Sequence, residues 1–216
     1  LTKPFFFIFL SFFQQLLRIS TALLCYARDS FKKEGFPLDF MIMEWITQVF
    51  QSPAMTAVMR FITGWGNLGA LWICFAFYFY FIKKDRQTAA FLLLAIVLTW
   101  SLNDLVIKQL VDRPRPFMTH AELPALIAMP TSSSFPSGHT ATSFAAMMIL
   151  FAYGGPYKWM GLGGAVLIAF SRIYLHVHYP SDVLAGCLVG LCIGAWLVRL
   201  MKQRSVKLTP ADGEKC

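Results

Sequence analysis

Lys108, Arg115 and Arg172 are fixed cations, His139 and His178 are imidazoles, and Asp182 is a carboxylate; three short runs carry all six. The runs are Lys108-x6-Arg115-Pro116, Pro136-Ser137-Gly138-His139, and Ser171-Arg172-x5-His178-x3-Asp182. Guanidinium and ammonium groups hold an oxyanion. An imidazole can attack it or move a proton, and a carboxylate can orient that imidazole. Together these groups suit binding a phosphoryl group and transferring it.

Each run adds a local reason. In Arg113-Pro114-Arg115-Pro116, each proline disfavours helical backbone in the residue before it. Both arginines therefore sit on stiff, extended chain, their planar forks suited to phosphate oxygens. Asp104 lies one helical turn before Lys108, so either an i,i+4 ion pair orients the lysine or both groups lie among lipid headgroups. Ser137 is a good N-cap residue for a helix starting at Gly138, and Gly138 lets a ligand approach the backbone. Free N–H groups at such a helix start attract anions. His139 on that first turn is a candidate general acid. Arg172 ends an apolar stretch, where an unpaired guanidinium is costly and a phosphate is a natural partner. Asp182 can fix the tautomer of His178, with His176 as the competing ring. A zinc set of His139, His176, His178 and Asp182 is conceivable, but Lys108, Arg115 and Arg172 would repel a cation from the same pocket.

The elements that must position these groups are apolar. Of 216 residues, 57% are hydrophobic and 14% charged, well under the roughly 25% charged typical of soluble domains. Apolar stretches at 65–82, 88–111, 139–153, 159–174 and 182–201 read as membrane-spanning helices. The reading is an all-α, polytopic integral membrane helical bundle of five spans. Some stretches fall short of about 20 residues, so their helices extend further or the bilayer adapts. Gly154-Gly155-Pro156 is a turn between two spans.

The net charge is +8. Lys83, Lys84 and Arg86, then Lys158, then Arg199, Lys202, Arg204 and Lys207 all fall on one side of this topology, which makes that side cytoplasmic. The motifs fall in 112–137 and 175–181, on the extracytoplasmic side. No basic face lies on a soluble module, so nucleic acid is not an expected partner. The five cysteines form no Cys-x-x-Cys pair and read as packing residues.

Before the first of these spans, Ile46, Val49, Phe50, Met55, Val58, Met59 and Phe61 recur at helical spacing around Pro53. Residues 41–64 thus read as two amphipathic helices, lying at the membrane interface or packed on the bundle. Residues 1–40 are either a sixth span, over 5–26, or sequence upstream of a start at Met41 or Met43. Residues 65–201 form the membrane core and 202–216 a basic cytoplasmic tail.

The three runs together resemble the signature of the type-2 phosphatidic acid phosphatase superfamily, at every position and in order from Lys108 to Asp182. The resemblance implies a six-span helical bundle with a site at the extracytoplasmic surface, acting without metal or cofactor. It implies that His178 is the nucleophile, forming a phosphohistidine, and that Asp182 orients it. His139 would protonate the leaving oxygen and then activate water. Lys108, Arg115, Arg172, Ser137 and Gly138 would bind the phosphoryl oxygens. Arg113 and His176 receive no role. The implied partners are membrane lipids and a lipid phosphate or diphosphate substrate. Undecaprenyl diphosphate is the leading expectation, ahead of phosphatidylglycerol phosphate and phosphatidic acid. Phosphotransfer to a lipid alcohol would use the same residues, whereas a non-catalytic transporter would not need His139 or His178. Residues 112–137 could close over the site as a lid or pack as an ordinary loop.

Overall fold

The computed structural model describes residues 36–208. The proposed span over 5–26 and the last eight residues lie outside them. Among the described residues all regular structure is helical.

Helices α1 (Pro37–Phe50) and α2 (Pro53–Gly66) both open on proline, whose missing N–H costs nothing in a first turn. Ser52 caps α2, its Oγ accepting from Met55 N–H at 3.2 Å. The chain then kinks through 67–69, where Leu68 and Gly69 have φ of 51° and 71°. It continues as α3 (Ala70–Phe77) and a π-helical turn, Tyr78–Ile82. Helix α4 (Arg86–Trp100) runs through a second π-helical stretch, Ser101–Ile107, into α5 (Lys108–Val111). A short α6 (Pro116–Thr119) follows. Three long helices complete the bundle: α7 (Gly138–Tyr153), α8 (Tyr157–Tyr174) and α9 (Pro180–Leu208).

Among the described residues three runs have the length and apolar character of a membrane crossing: Pro53–Ile82, Arg86–Thr119 and Pro180–Arg204. Helices α7 and α8 stand where two further spans were expected. They have 16 and 18 residues, and α7 carries Thr140, Thr142 and Ser143. Helix α7 is central, with Ala141, Ala145, Ala146, Ile149 and Leu150 fully buried. Element edges differ from the sequence reading. Helix α1 begins at Pro37 and so crosses the boundary drawn at 41, α2 crosses the one at 65, and α9 continues past 201.

Helices α1 and α2 pack on the bundle. Ile46 and Met59 join Tyr174, Leu175 and Val177, and Met43 joins Leu123 and Tyr179. Their outer faces expose Leu38, Met41, Trp45, Phe61 and Trp65.

Gly186, Gly190 and Gly194 form one stripe on α9, four residues apart, against α7. A Cβ on Gly186 would lie 2.6 Å from Ser137 O, and one on Gly194 2.6 Å from Met148 Cβ. Only glycine permits this approach. It sets the N-termini of α7 and α9 side by side, and Ser137 N–H donates to Asp182 O at 3.1 Å. The basic clusters gather at the other end of the bundle. Lys83 Nζ lies 5.8 Å from the centroid of Tyr157, next to Lys158, and Gln87 bonds Met201 O at 2.8 Å.

Candidate active site

A cavity of about 760 Å³ opens at the end of the bundle where α7 begins and α5 and α8 end. Lys108, Arg115, Gly138, His139, Arg172 and His178 line it. Six of the eight residues singled out from the sequence are thus brought together, across 70 positions of chain. Ser137 and Asp182 stand just behind the wall, both fully buried.

Lys108 bonds Asp104 through Nζ–Oδ1 at 2.6 Å, the ion-pair alternative of the two that the sequence left open. Arg115 has φ −85° and ψ 157°, the extended backbone that Pro116 demands. Its guanidinium donates to Ser132 O at 2.8 Å, Val177 O at 2.7 Å and Ser132 Oγ at 3.1 Å. Arg172 donates to Thr63 Oγ1 at 2.5 Å, and its Nε is buried without a hydrogen-bond partner. Among the described residues no carboxylate lies within ion-pair distance of Arg115 or Arg172. Two buried guanidinium groups therefore face one cavity with only neutral protein partners.

The two arginines of Arg-Pro-Arg-Pro part company. The sequence suggested two phosphate forks, but only Arg115 reaches the cavity. In polyproline-type backbone, residues two apart point about 120° away from each other. Arg113 turns to the other side of the wall and bonds Asp39 and Asp182.

His178 is 2% exposed. Its Nε2 lies 3.4 Å from Arg115 Nη1. Arginine only donates, so Nε2 accepts and the neutral ring carries its proton on Nδ1. That nitrogen faces Asp182 Oδ2 at 3.6 Å, a contact longer than a hydrogen bond. Burial pushes the pKa of His178 down to about 3; Asp182 opposes this, and Arg115 and Arg172 add to it. The ring is neutral at pH 7, so Nε2 keeps its lone pair, which Arg115 Nη1 engages from the cavity side.

Asp182 belongs to the first turn of α9. Its Oδ2 accepts from the Tyr179 N–H at 2.9 Å, the backward half of a capping box, and from Ser134 Oγ at 2.5 Å. His139 Nε2 bonds Asn67 Oδ1 at 2.9 Å, so that nitrogen carries the proton. Gly66 makes room for the ring: a Cβ there would meet His139 Cδ2 at 2.7 Å.

Ser137 stands at the N-cap position but makes no side-chain cap. Its Oγ pairs with Thr140 Oγ1 at 2.8 Å, which leaves the start of α7 uncapped beside Gly138. The cavity wall there is backbone at the positive end of a helix dipole.

His176 has φ 59° and both ring nitrogens engaged, with Pro124 O at 3.0 Å and Thr47 Oγ1 at 2.9 Å. Burial lowers its pKa as well. It pins residues 120–130 to α1 and does not line the cavity, so the zinc set weighed above does not converge. The segment expected as lid or loop packs on the bundle at one point and lines the cavity at another. Leu123 is buried against Met43 and Tyr179, whereas Ile127, Ala128, Met129 and Pro130 form one wall of the cavity.

Asn67, Thr63, Gly66 and Asp39 escaped sequence reasoning. None belongs to a motif, and each lies more than 70 positions from the group it serves.

Residues 88–205 match the PAP2 superfamily, more than half of the chain and the whole stretch from Lys108 to Asp182. The chain belongs to the PAP2 superfamily. Among curated PAP2 relatives, an undecaprenyl-diphosphatase of Sulfolobus acidocaldarius is 28% identical over 158 residues, 73% of this chain and 76% of that protein. A decaprenylphosphoryl-5-phosphoribose phosphatase of Mycobacterium tuberculosis is 42% identical over 94 residues, 42% of this chain and 49% of that protein. Among solved PAP2 structures, LpxE of Aquifex aeolicus superposes with a TM-score of 0.64 at 27% identity, covering 77% of this chain and 98% of that one. The Bacillus subtilis phosphatidylglycerolphosphate phosphatase gives 0.62 over 94% of this chain and 98% of that one, at 24% identity, which speaks for the fold. The three runs long and apolar enough to cross a membrane, with a transmembrane PAP2 neighbour of the same fold, mark this chain as an integral membrane protein, and its relatives place it among phosphatases.

Proposed function

We propose that the protein hydrolyses a phosphate or diphosphate ester of a membrane lipid through a phosphohistidine on His178. The observation that carries this reading is the pair Arg115 and Arg172, buried around one cavity with no carboxylate, among the described residues, within ion-pair distance. Buried unpaired cations are costly, and an anionic ligand removes the cost.

In the first step His178 Nε2 attacks phosphorus and the bond to the leaving oxygen breaks. His139, carrying a proton on both ring nitrogens while the phosphate is bound, gives that oxygen one of them and is left neutral. In the second step His139 takes a proton from water as its oxygen attacks phosphorus. The P–N bond breaks, its electron pair returns to His178, and orthophosphate leaves. Lys108, Arg115, Arg172 and the backbone at Ser137 and Gly138 hold the phosphoryl oxygens, whose charge must be stabilised as the bonds exchange. Asp182 stabilises the imidazolium that forms on His178.

The leading substrate is undecaprenyl diphosphate, whose leaving group is the lipid monophosphate. Two features support a polyprenyl lipid. Cavity-lining Leu68, Trp100 and Met129 are also exposed on the outside of the bundle, so the phosphate site is continuous with an apolar surface. Two relatives are named for polyprenyl-linked substrates, an undecaprenyl-diphosphatase and a decaprenylphosphoryl-5-phosphoribose phosphatase. The site faces away from the cytoplasm, because Lys83, Lys158 and the basic C-terminal end of α9 mark the opposite end of the bundle. On this reading α7 and α8 also cross the bilayer, with the C-terminus cytoplasmic.

The test is phosphate release by purified protein in detergent across undecaprenyl diphosphate, phosphatidylglycerol phosphate and phosphatidic acid, with and without EDTA. Release that favours the diphosphate, survives EDTA and disappears in His178→Ala supports the reading. A strict requirement for added magnesium overturns the mechanism.

A further inference from the structure

Asp182 is held from behind. Arg113 Nη1 bonds its Oδ1, and Arg113 Nη2 bonds Asp39 Oδ2 at 2.9 Å. Arg113 and both carboxylates are at most 4% exposed. Ser181 closes the ring: its Oγ accepts from Arg113 Nη1 at 2.8 Å and donates to Asp39 Oδ2 at 2.5 Å, and its N–H donates to Asp39 Oδ1 at 2.8 Å. Asp39 thus caps the first turn of α9 from a different helix. The guanidinium also lies 3.9 Å from the Tyr179 ring centroid. The Arg113 main chain accepts from Ser134 N–H at 2.9 Å, which sets the Ser134 hydroxyl against Asp182.

From this arrangement we infer that Asp39 and Arg113 are positioning residues for the reaction: two carboxylates grip one planar guanidinium, and the grip fixes where Asp182 stands relative to His178. The inference rests on the reading that His178 attacks and Asp182 orients it. Arg113 is suited to this task in a way lysine is not, because its two terminal nitrogens serve one carboxylate each in a fixed plane. Asp39 brings α1 into the support of the reacting groups. With the His178–Asp182 contact at 3.6 Å, a small shift of Asp182 decides whether it closes to a hydrogen bond during the reaction. Misplacement by about 1 Å can cost 10²-fold in rate.

The test uses the full-length chain in detergent, with rates normalised to folded protein by thermal denaturation. Asp39→Asn and Arg113→Lys each lower kcat by about 10–10²-fold, with KM within about threefold, since neither residue lines the cavity. The double variant loses no more than the worse single one, because both act through one link. Should Asp39→Asn fail to fold, Ser181→Ala removes the hydroxyl bridge while keeping every charge, and is expected to lower kcat at unchanged KM. Wild-type kcat in folded Arg113→Lys and Ser181→Ala overturns the inference, as does a loss that appears in KM alone or adds in the double variant. His178→Ala is the control that separates the two readings. If it stays active, the phosphohistidine reading fails; if it is inactive while the positioning variants are not, only this inference fails.

Discussion

Arg115 Nη1 stands 3.4 Å from His178 Nε2, and that contact orders the whole site. It engages the lone pair of Nε2 and so leaves the ring proton on Nδ1, facing Asp182. On the proposed reading, the cation that holds the substrate also sets the tautomer of the group that attacks it.

Replacing the two neighbouring histidines should separate their roles. His178→Ala is expected to lose more than about 10³-fold in kcat/KM, as loss of a nucleophile does. His176→Ala should keep activity within about tenfold and instead lose about 1–3 kcal/mol of stability with its two buried hydrogen bonds. Steady-state kinetics and denaturant titration of both variants check this.

Stability should fall with acid partly through His178. Its folded pKa of about 3 lies below the ordinary histidine value of 6.5. Between those values the unfolded chain binds a proton that the folded one does not. Its contribution is whole above pH 6.5 and is lost toward pH 3, at up to about 1.4 kcal/mol per pH unit. His178→Gln should therefore show a flatter fall in Tm over that range than the parent protein. Equal slopes would contradict the buried neutral ring.

Arg172→Ala should lower kcat by about 10²–10³-fold, the usual loss for one donor to a transition-state oxyanion. Because the buried charge goes with it, thermal stability without substrate should hold or rise. A fall in stability with unchanged kcat would make Arg172 a structural residue. Parallel kinetics and melting curves decide.

Gly66→Ala tests the seat of His139. Gly66 has φ −77°, so alanine is not strained there by backbone; the obstacle is the His139 ring 2.7 Å away. Displacing the ring from Asn67 should cost at least about tenfold in kcat, with far-ultraviolet circular dichroism unchanged. Gly163→Ala on α8, where a Cβ meets nothing within 4 Å and which does not line the cavity, is the control and should leave activity intact.

The reacting groups were legible in the sequence because a membrane chain places charged residues sparingly, so Lys108, Arg115 and Arg172 stood out against apolar runs. Spacing offered the Asp104–Lys108 pair as one of two alternatives, and tertiary placement decided for it. The division of labour between Arg113 and Arg115 did not, since it depends on how an extended turn presents alternate side chains. The choice between His176 and His178 required tertiary contacts from Pro124 and Thr47. Ser137 has the type and place of an N-cap, yet Thr140 takes its hydroxyl. Asp39, Thr63 and Asn67 had no signal, because a single polar residue outside any motif shows nothing of its role until its partner arrives from far along the chain.

Asp39, Thr63 and Asn67 all precede the stretch 88–205, which holds every group assigned to the chemistry. A fragment trimmed to that stretch would keep the reagents and discard their clamps. Conversely, grafting 37–87 from a relative onto this chain would retune rate and substrate choice while leaving each reacting atom its own.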